Sequence, residues 1–144
     1  MTDYSEIRAS VRKLCEAFDG PYWRALDRER AYPTAFVQAL TESGFLAALI
    51  PEEYGGAGLP LSAACAILEE IQHAGANGGA CHAQMYTMGT VLRHGSKAQK
   101  EKYLPPLCRG ELIGAHGMSE PDSGSDAFSL RTRAERRDGG YVLN

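Results

Sequence analysis

Apolar positions along most of this chain recur with a helical period. Ile7, Val11, Leu14, Cys15 and Phe18 fall at i, i+4, i+7, i+8 and i+11, one stripe of an amphipathic helix over residues 4–18. Gly20-Pro21 is expected to end that helix, and the charge-dense residues 22–31 read as a solvated helix face. Pro33-Thr34 opens a third segment carrying Phe36, Val37 and Leu40, closed by Ser43-Gly44. The apolar run 45–50 stops at Pro51 and falls into a turn with Gly55, Gly56 and Gly58, where positive backbone φ is expected. Ala64, Ile67, Leu68 and Ile71 form the seam of the most regular helix, which starts near Pro60 and breaks at Ala74-Gly75. After a turn at Asn77-Gly78-Gly79, Cys81, Met85, Met88, Val91 and Leu92 predict another helix. Ser96 then reads as the N-cap of a short helix stopped by Pro105-Pro106, and residues 107–112 complete the helical region.

From Ile113 the texture changes. Residues 113–118 are small and compatible with an extended backbone, and they lead into Met118-Ser119-Glu120-Pro121-Asp122-Ser123-Gly124-Ser125-Asp126. This stretch is a loop by composition, able to present backbone N–H groups and hydroxyls to one polar or anionic ligand. Residues 130–135 alternate in the strand period, and Asp138-Gly139 before Tyr141-Val142-Leu143 is a hairpin signal. The expected fold is mainly α: an all-helical up-and-down domain over 1–112, then the first strands of a truncated β-barrel domain over 113–144.

Composition narrows the function classes. A hydrophobic fraction of 44%, a charged fraction of 23% and a net charge of −3 describe a globular chain without the basic excess of a nucleic-acid surface. No apolar run approaches the roughly 20 residues of a membrane span. The amino terminus has no signal-peptide pattern, so a cytoplasmic setting is the expectation. Cys15, Cys65, Cys81 and Cys108 lack zinc-type spacing and read as free, mostly buried thiols; no metal site is expected. Glu69 and Glu70, adjacent on one helix, diverge by about 100° and read as surface charges unable to share a ligand. His82, Gln84 and Tyr86 are polar positions on an otherwise apolar helix.

Three pieces, in this order, resemble the acyl-CoA dehydrogenase flavoprotein family: Ile50-Pro51-Glu52-Glu53-Tyr54-Gly55-Gly56-Ala57-Gly58; Gly95-Ser96 with Gln99-Lys100, Tyr103-Leu104-Pro105, Leu107 and Gly110-Glu111; and Ser119-Glu120-Pro121 with Gly124-Ser125-Asp126, followed by Tyr141-Val142-Leu143-Asn144. The resemblance implies FAD as cofactor, an acyl-CoA thioester as substrate and α,β-dehydrogenation. The complete enzyme would pass electrons to an electron-transfer flavoprotein, and a homo-oligomer or a split-enzyme partner is expected.

The resemblance also implies which residues meet the cofactor: His116, Gly117, Met118, Ser119, Ser123, Gly124 and Ser125. Ser119 would offer its hydroxyl and Met118 its backbone to the pyrimidine edge of the flavin. Gly124 would allow close approach near the pyrophosphate, and Ser125 would contact both cofactor and CoA substrate. The family more often has threonine at the position of Ser119, glycine and a small residue at Asp122-Ser123, and an aromatic at His116. Glu120 is a structural member of the loop in that pattern, and the catalytic base lies in a later domain, so no catalytic residue is assigned. The chain alone is therefore not expected to be active. The helix bearing His82 and Tyr86 is similar to the family's acyl-pocket wall, where polar groups would suit a short, branched or functionalised acyl group. The alternatives are a non-catalytic helical interaction module and a fragment of a related flavin oxidase or monooxygenase.

Overall fold

The computed structural model describes residues 4–144, among which six α-helices precede a β-hairpin. They are α1 (Ser5–Cys15), α2 (Gly20–Glu29), α3 (Thr34–Glu42), α4 (Leu61–His73), α5 (Gly78–His94) and α6 (Lys97–Cys108). Short 3₁₀ turns at Phe45–Ala47 and Glu52–Tyr54 bridge α3 and α4. The hairpin pairs β1 (Ala134–Arg137) with β2 (Gly140–Leu143). This matches the expected architecture of a helical region followed by the opening strands of a sheet.

The core forms where the apolar stripes converge. Val11 of α1, Phe36 and Leu40 of α3, Ile67 and Ile71 of α4, Cys81 and Met88 of α5, Leu104 of α6 and Ile50 between the two 3₁₀ turns are completely or almost completely shielded from solvent. α1 lies on α4, while α5 packs on both α4 and α6. Phe18, Tyr22, Trp23 and Phe36 add a chain of edge-to-face rings with centroids 4.9–5.1 Å apart. That arrangement places ring edges against π faces and adds to plain area burial.

Several local expectations are corrected by the structure. Gly20-Pro21 opens α2 instead of ending α1: the Asp19 carboxylate accepts from the Tyr22 N–H at 3.1 Å, and Pro21 occupies the first turn, where its missing N–H has no partner to lose. Asn77 likewise caps α5, accepting from the Gly79 N–H at 2.9 Å, so the two glycines form its first turn. Pro105 and Pro106 do not stop α6, which continues to Cys108. Leu104 and Cys108 are buried on either side of them, and this packing holds the last turn despite two absent N–H donors. At the start of α6, Ser96 and Gln99 form the reciprocal capping box that the N-cap serine announced.

Glu70 is the largest departure. It is 7% exposed, with Arg8 Nη1 3.0 Å from one carboxylate oxygen and Arg12 Nε 3.1 Å from the other. Arg8 also reaches Glu69 through its other terminal nitrogen. One forked guanidinium thus spans the two adjacent carboxylates that helical geometry had separated, because α1 lies across α4 and approaches from the side.

The cysteines are free: Cys15, Cys81 and Cys108 are buried and Cys65 is exposed. Among the described residues no helix is long and apolar enough to cross a membrane, and no group of histidine, cysteine and carboxylate side chains is arranged to hold a metal ion.

Candidate functional site

Extended residues 113–118 leave α6 and cross α5 before the loop begins. Gln84, 7% exposed on α5, holds them there: its carbonyl accepts from the Gly114 N–H at 3.1 Å and its amide donates to the Gly114 carbonyl at 3.4 Å. A side chain at position 114 would not fit, since an added Cβ would lie 2.5 Å from Thr87 Cγ2. Two residues on, His116 stands edge-on to Tyr86 with centroids 5.4 Å apart, and Tyr86 in turn meets His82 at 5.2 Å. The three rings run from α5 to the foot of the loop. On the other side of Gln84 lies a cleft of about 220 Å³ lined by Tyr32, Thr41, Met88, Leu112 and Ile113.

The loop is braced from within. Glu120 and Ser123 exchange backbone hydrogen bonds of 2.8 and 3.2 Å around Pro121-Asp122, closing a tight turn. The Ser123 hydroxyl donates to the Asp126 carbonyl at 2.6 Å, and the residue is 5% exposed. Asp126 accepts from the Phe128 N–H at 3.3 Å and from the Ser129 hydroxyl. The two Glu120 carboxylate oxygens accept from the backbone N–H groups of Arg131 and Thr132, each at 2.8 Å. These contacts hold the Glu120 carboxyl below the ordinary carboxylate range, the Thr132 side chain contributing most, ahead of the two N–H groups. They also explain why β1 starts at Ala134 and not at 130: two N–H groups that a longer strand would need are already taken. Arg133 and Asn144 extend the ladder by one mutual pair, and Asp138-Gly139 makes the expected turn with φ of 38° and 82° at its two central positions.

The candidate residues separate into two groups. His116, Gly117, Met118, Ser119, Gly124 and Ser125 are exposed. No described residue hydrogen-bonds to the hydroxyl or N–H of Ser119 or Ser125, or to the N–H of Met118 or Gly124. A Cβ at Gly117 or Gly124 would meet nothing within 4 Å, so both leave open space above the backbone. Ser123 is different: its hydroxyl proton is spent on Asp126, which makes it a brace of the loop and leaves it no proton to donate to a ligand. Asp122 faces Arg131, with 3.7 Å between carboxylate and guanidinium. That partner offsets the negative charge it brings to the loop. Sequence reasoning singled out Gln84 only as a polar position on an apolar helix and did not foresee its grip on Gly114.

Residues 1–111 match the family model described as acyl-CoA dehydrogenase, N-terminal domain. The mitochondrial isovaleryl-CoA dehydrogenase of Oryza sativa subsp. japonica is 38% identical over 96% of this chain, which spans 35% of that protein's length. The crystal structure of acyl-CoA dehydrogenase from Geobacillus kaustophilus superposes with a TM-score of 0.86 at 28% identity, covering 100% of this chain and 40% of that one. The Bacillus anthracis acyl-CoA dehydrogenase complexed with FAD gives a TM-score of 0.80 at 32% identity, over 96% of this chain and 24% of that one. The chain thus spans about a third of the length of the curated relative it matches. With the family model covering the whole helical region and the helices superposing on solved members, the chain belongs to the acyl-CoA dehydrogenase family, whose N-terminal domain it carries.

Proposed function

We propose that this chain is the N-terminal portion of an FAD-dependent acyl-CoA dehydrogenase, and that its loop at residues 116–125 supplies part of the flavin site. The observation that carries the reading is the row of unpartnered donors at Met118, Ser119, Gly124 and Ser125 on a loop whose shape is fixed by Glu120, Ser123 and Asp126. A bound FAD would supply the acceptor for a hydride lost from the β-carbon of an acyl group. The chain's own residues do the holding. Short hydroxyls and backbone amides can donate to carbonyl and phosphate oxygens without adding a charge that must itself be desolvated. Ser119 and the Met118 N–H are assigned to the flavin ring, the open backbone at Gly124 to the pyrophosphate, and Ser125 to cofactor and CoA substrate together.

Ser123 enters this reading as a support and not as a ligand. The α-proton base is assigned to the portion of the protein that corresponds to the remaining length of its relatives, so the 144 residues alone are expected to be inactive. The division between helical and β parts is placed near residue 112, where α6 has ended and the extended backbone begins. An electron-transfer flavoprotein is the proposed electron acceptor, and assembly into a homo-oligomer or with a split-enzyme partner is part of the same proposal.

The test is FAD retention by the protein carrying this chain. Ser119→Ala and Ser125→Ala should each weaken FAD binding several-fold, each removing one hydrogen bond worth about 1 kcal/mol, as read from quenching of flavin fluorescence. Unchanged FAD affinity in the double variant would overturn the assignment of the loop.

A further inference from the structure

The cleft of about 220 Å³ beside Gln84 is lined by α3, by α5 and by the chain that leaves α6. Its buried lining is apolar apart from Gln84, whose amide is engaged with Gly114: Val37, Leu46 and Met88 are all shielded from solvent, Met88 to 1%. The edge is apolar as well. Tyr32, Leu112 and Ile113 border the cleft, three of the six large apolar side chains that residues 4–113 leave exposed, and Ile113 is 67% open to solvent. A concave apolar surface with a few polar groups at its mouth is the form of a small-molecule site. Drug-sized ligands take about 300–1,000 Å³, so this cleft suits a single ring with a short arm.

Charge at the mouth has one uncompensated sign. Among the described residues, Glu42 and Arg109 are the two charged groups that line the cleft. The Arg109 guanidinium forks onto Glu111 at 2.7 and 2.9 Å, which offsets its positive charge. Glu42 has no such partner: one carboxylate oxygen accepts from the Gln38 amide at 2.8 Å, and no described cation pairs with it. An ammonium placed beside Glu42 gains an opposite charge, whereas a carboxylate there meets a like one. The body of the ligand is chosen by Met88, whose polarizable thioether is a favourable neighbour for an aromatic ring, and by the ring of Tyr32.

We propose that this cleft binds a small aromatic ammonium compound, with its ring against Met88, Tyr32 and Ile113 and its ammonium at Glu42. None of these residues belongs to the loop assigned to flavin, so the site stands or falls separately from that assignment.

The experiment uses the full-length protein carrying this chain, with carbon-13 in its methionine methyl groups, and three probes of closely similar size: phenethylamine, 2-phenylethanol and phenylacetate. Met88→Leu assigns the Met88 methyl signal, which reports on the cleft alone. Phenethylamine should shift that signal saturably, with a Kd below about 1 mM. It should bind about fivefold tighter than 2-phenylethanol, the factor that a solvent-exposed ion pair supplies, and phenylacetate should be the weakest of the three. Glu42→Gln should erase the difference between amine and alcohol. Ile113→Ala should weaken both alike, about threefold, by removing apolar contact. Both positions are exposed, so neither change threatens the fold. Equal binding of amine and alcohol to the parent protein, an amine preference that survives Glu42→Gln, or a Met88 signal that no probe moves would each overturn the inference.

Discussion

Gln84 and Gly114 lie thirty residues apart and close a ring of two hydrogen bonds, the glutamine amide pairing with one peptide unit as a neighbouring strand would. The pair fastens the extended segment that feeds the loop onto α5, and so sets where His116 and the residues after it stand. Replacing Gln84 by Met keeps the length and removes both partners. The Gly114 N–H and carbonyl are then left part-buried and unpaired, at a cost of about 1–3 kcal/mol. Chemical denaturation should show that loss, and hydrogen exchange at the Gly114 amide should accelerate. Unchanged protection of that amide would mean the segment is held by something else.

Gly114→Ala tests the same junction from the opposite side. The new methyl would sit 2.5 Å from Thr87 Cγ2 and 2.9 Å from its Cβ. Overpacking of this kind costs about 1–3 kcal/mol. Thr87→Ala removes the nearer atom and keeps the farther one, so the double variant should regain part of the loss. A double-mutant cycle by urea denaturation measures the coupling, and strict additivity would remove the contact from the account.

Glu70 makes stability depend on acid. Hydrogen bonds from Arg12, then Arg8, hold its carboxyl below the ordinary carboxylate range, so the folded value lies below the unfolded one. Its contribution is therefore fully present above the unfolded carboxylate pKa of about 4.3 and is lost as pH falls through the folded value. Glu70→Gln should be less stable than the parent at neutral pH, and the two should converge on acidification to about pH 2. A gap that stays constant across that titration would show that the ion pairs contribute nothing.

The thiols should divide by burial. Burial pushes the Cys81 thiol up to about 12 and raises those of Cys15 and Cys108 as well. Only thiolate reacts with a disulfide reagent. In the native protein at about pH 8, Cys65 should label rapidly and the other three only after unfolding. Mass spectrometry of the labelled peptides reads the result, and fast native labelling of Cys81 would contradict the packing of α5.

Much of this protein is determined locally and can be read from its sequence. The stripe from Ile7 to Phe18, the seam of α4, the Ser96 cap and the Asp138-Gly139 turn each depend on residues within a few positions of one another. Periodicity and capping act at that range. Proline punctuation was less decisive, because proline both ends and begins helices: Asp19 at the cap made Pro21 a beginning, and packing of Leu104 and Cys108 carried α6 through Pro105-Pro106.

The loop itself is legible as composition, with its glycine, its proline and its small hydroxyl residues side by side. Which hydroxyls face outward is not legible there. Ser119, Ser123 and Ser125 are chemically alike, and only the fold of the turn spends Ser123 on the Asp126 carbonyl while leaving the other two open. Long-range proximity likewise decided that Glu70 sits between two arginines of α1, that Gln84 grips Gly114, and that His116 meets Tyr86. The sequence by itself determined the helices, the hairpin turn and the chemical kinds of group available to a ligand. Tertiary structure decided which of those groups remain unpaired, because a polar side chain is spent or left open according to what distant parts of the chain bring within hydrogen-bond reach.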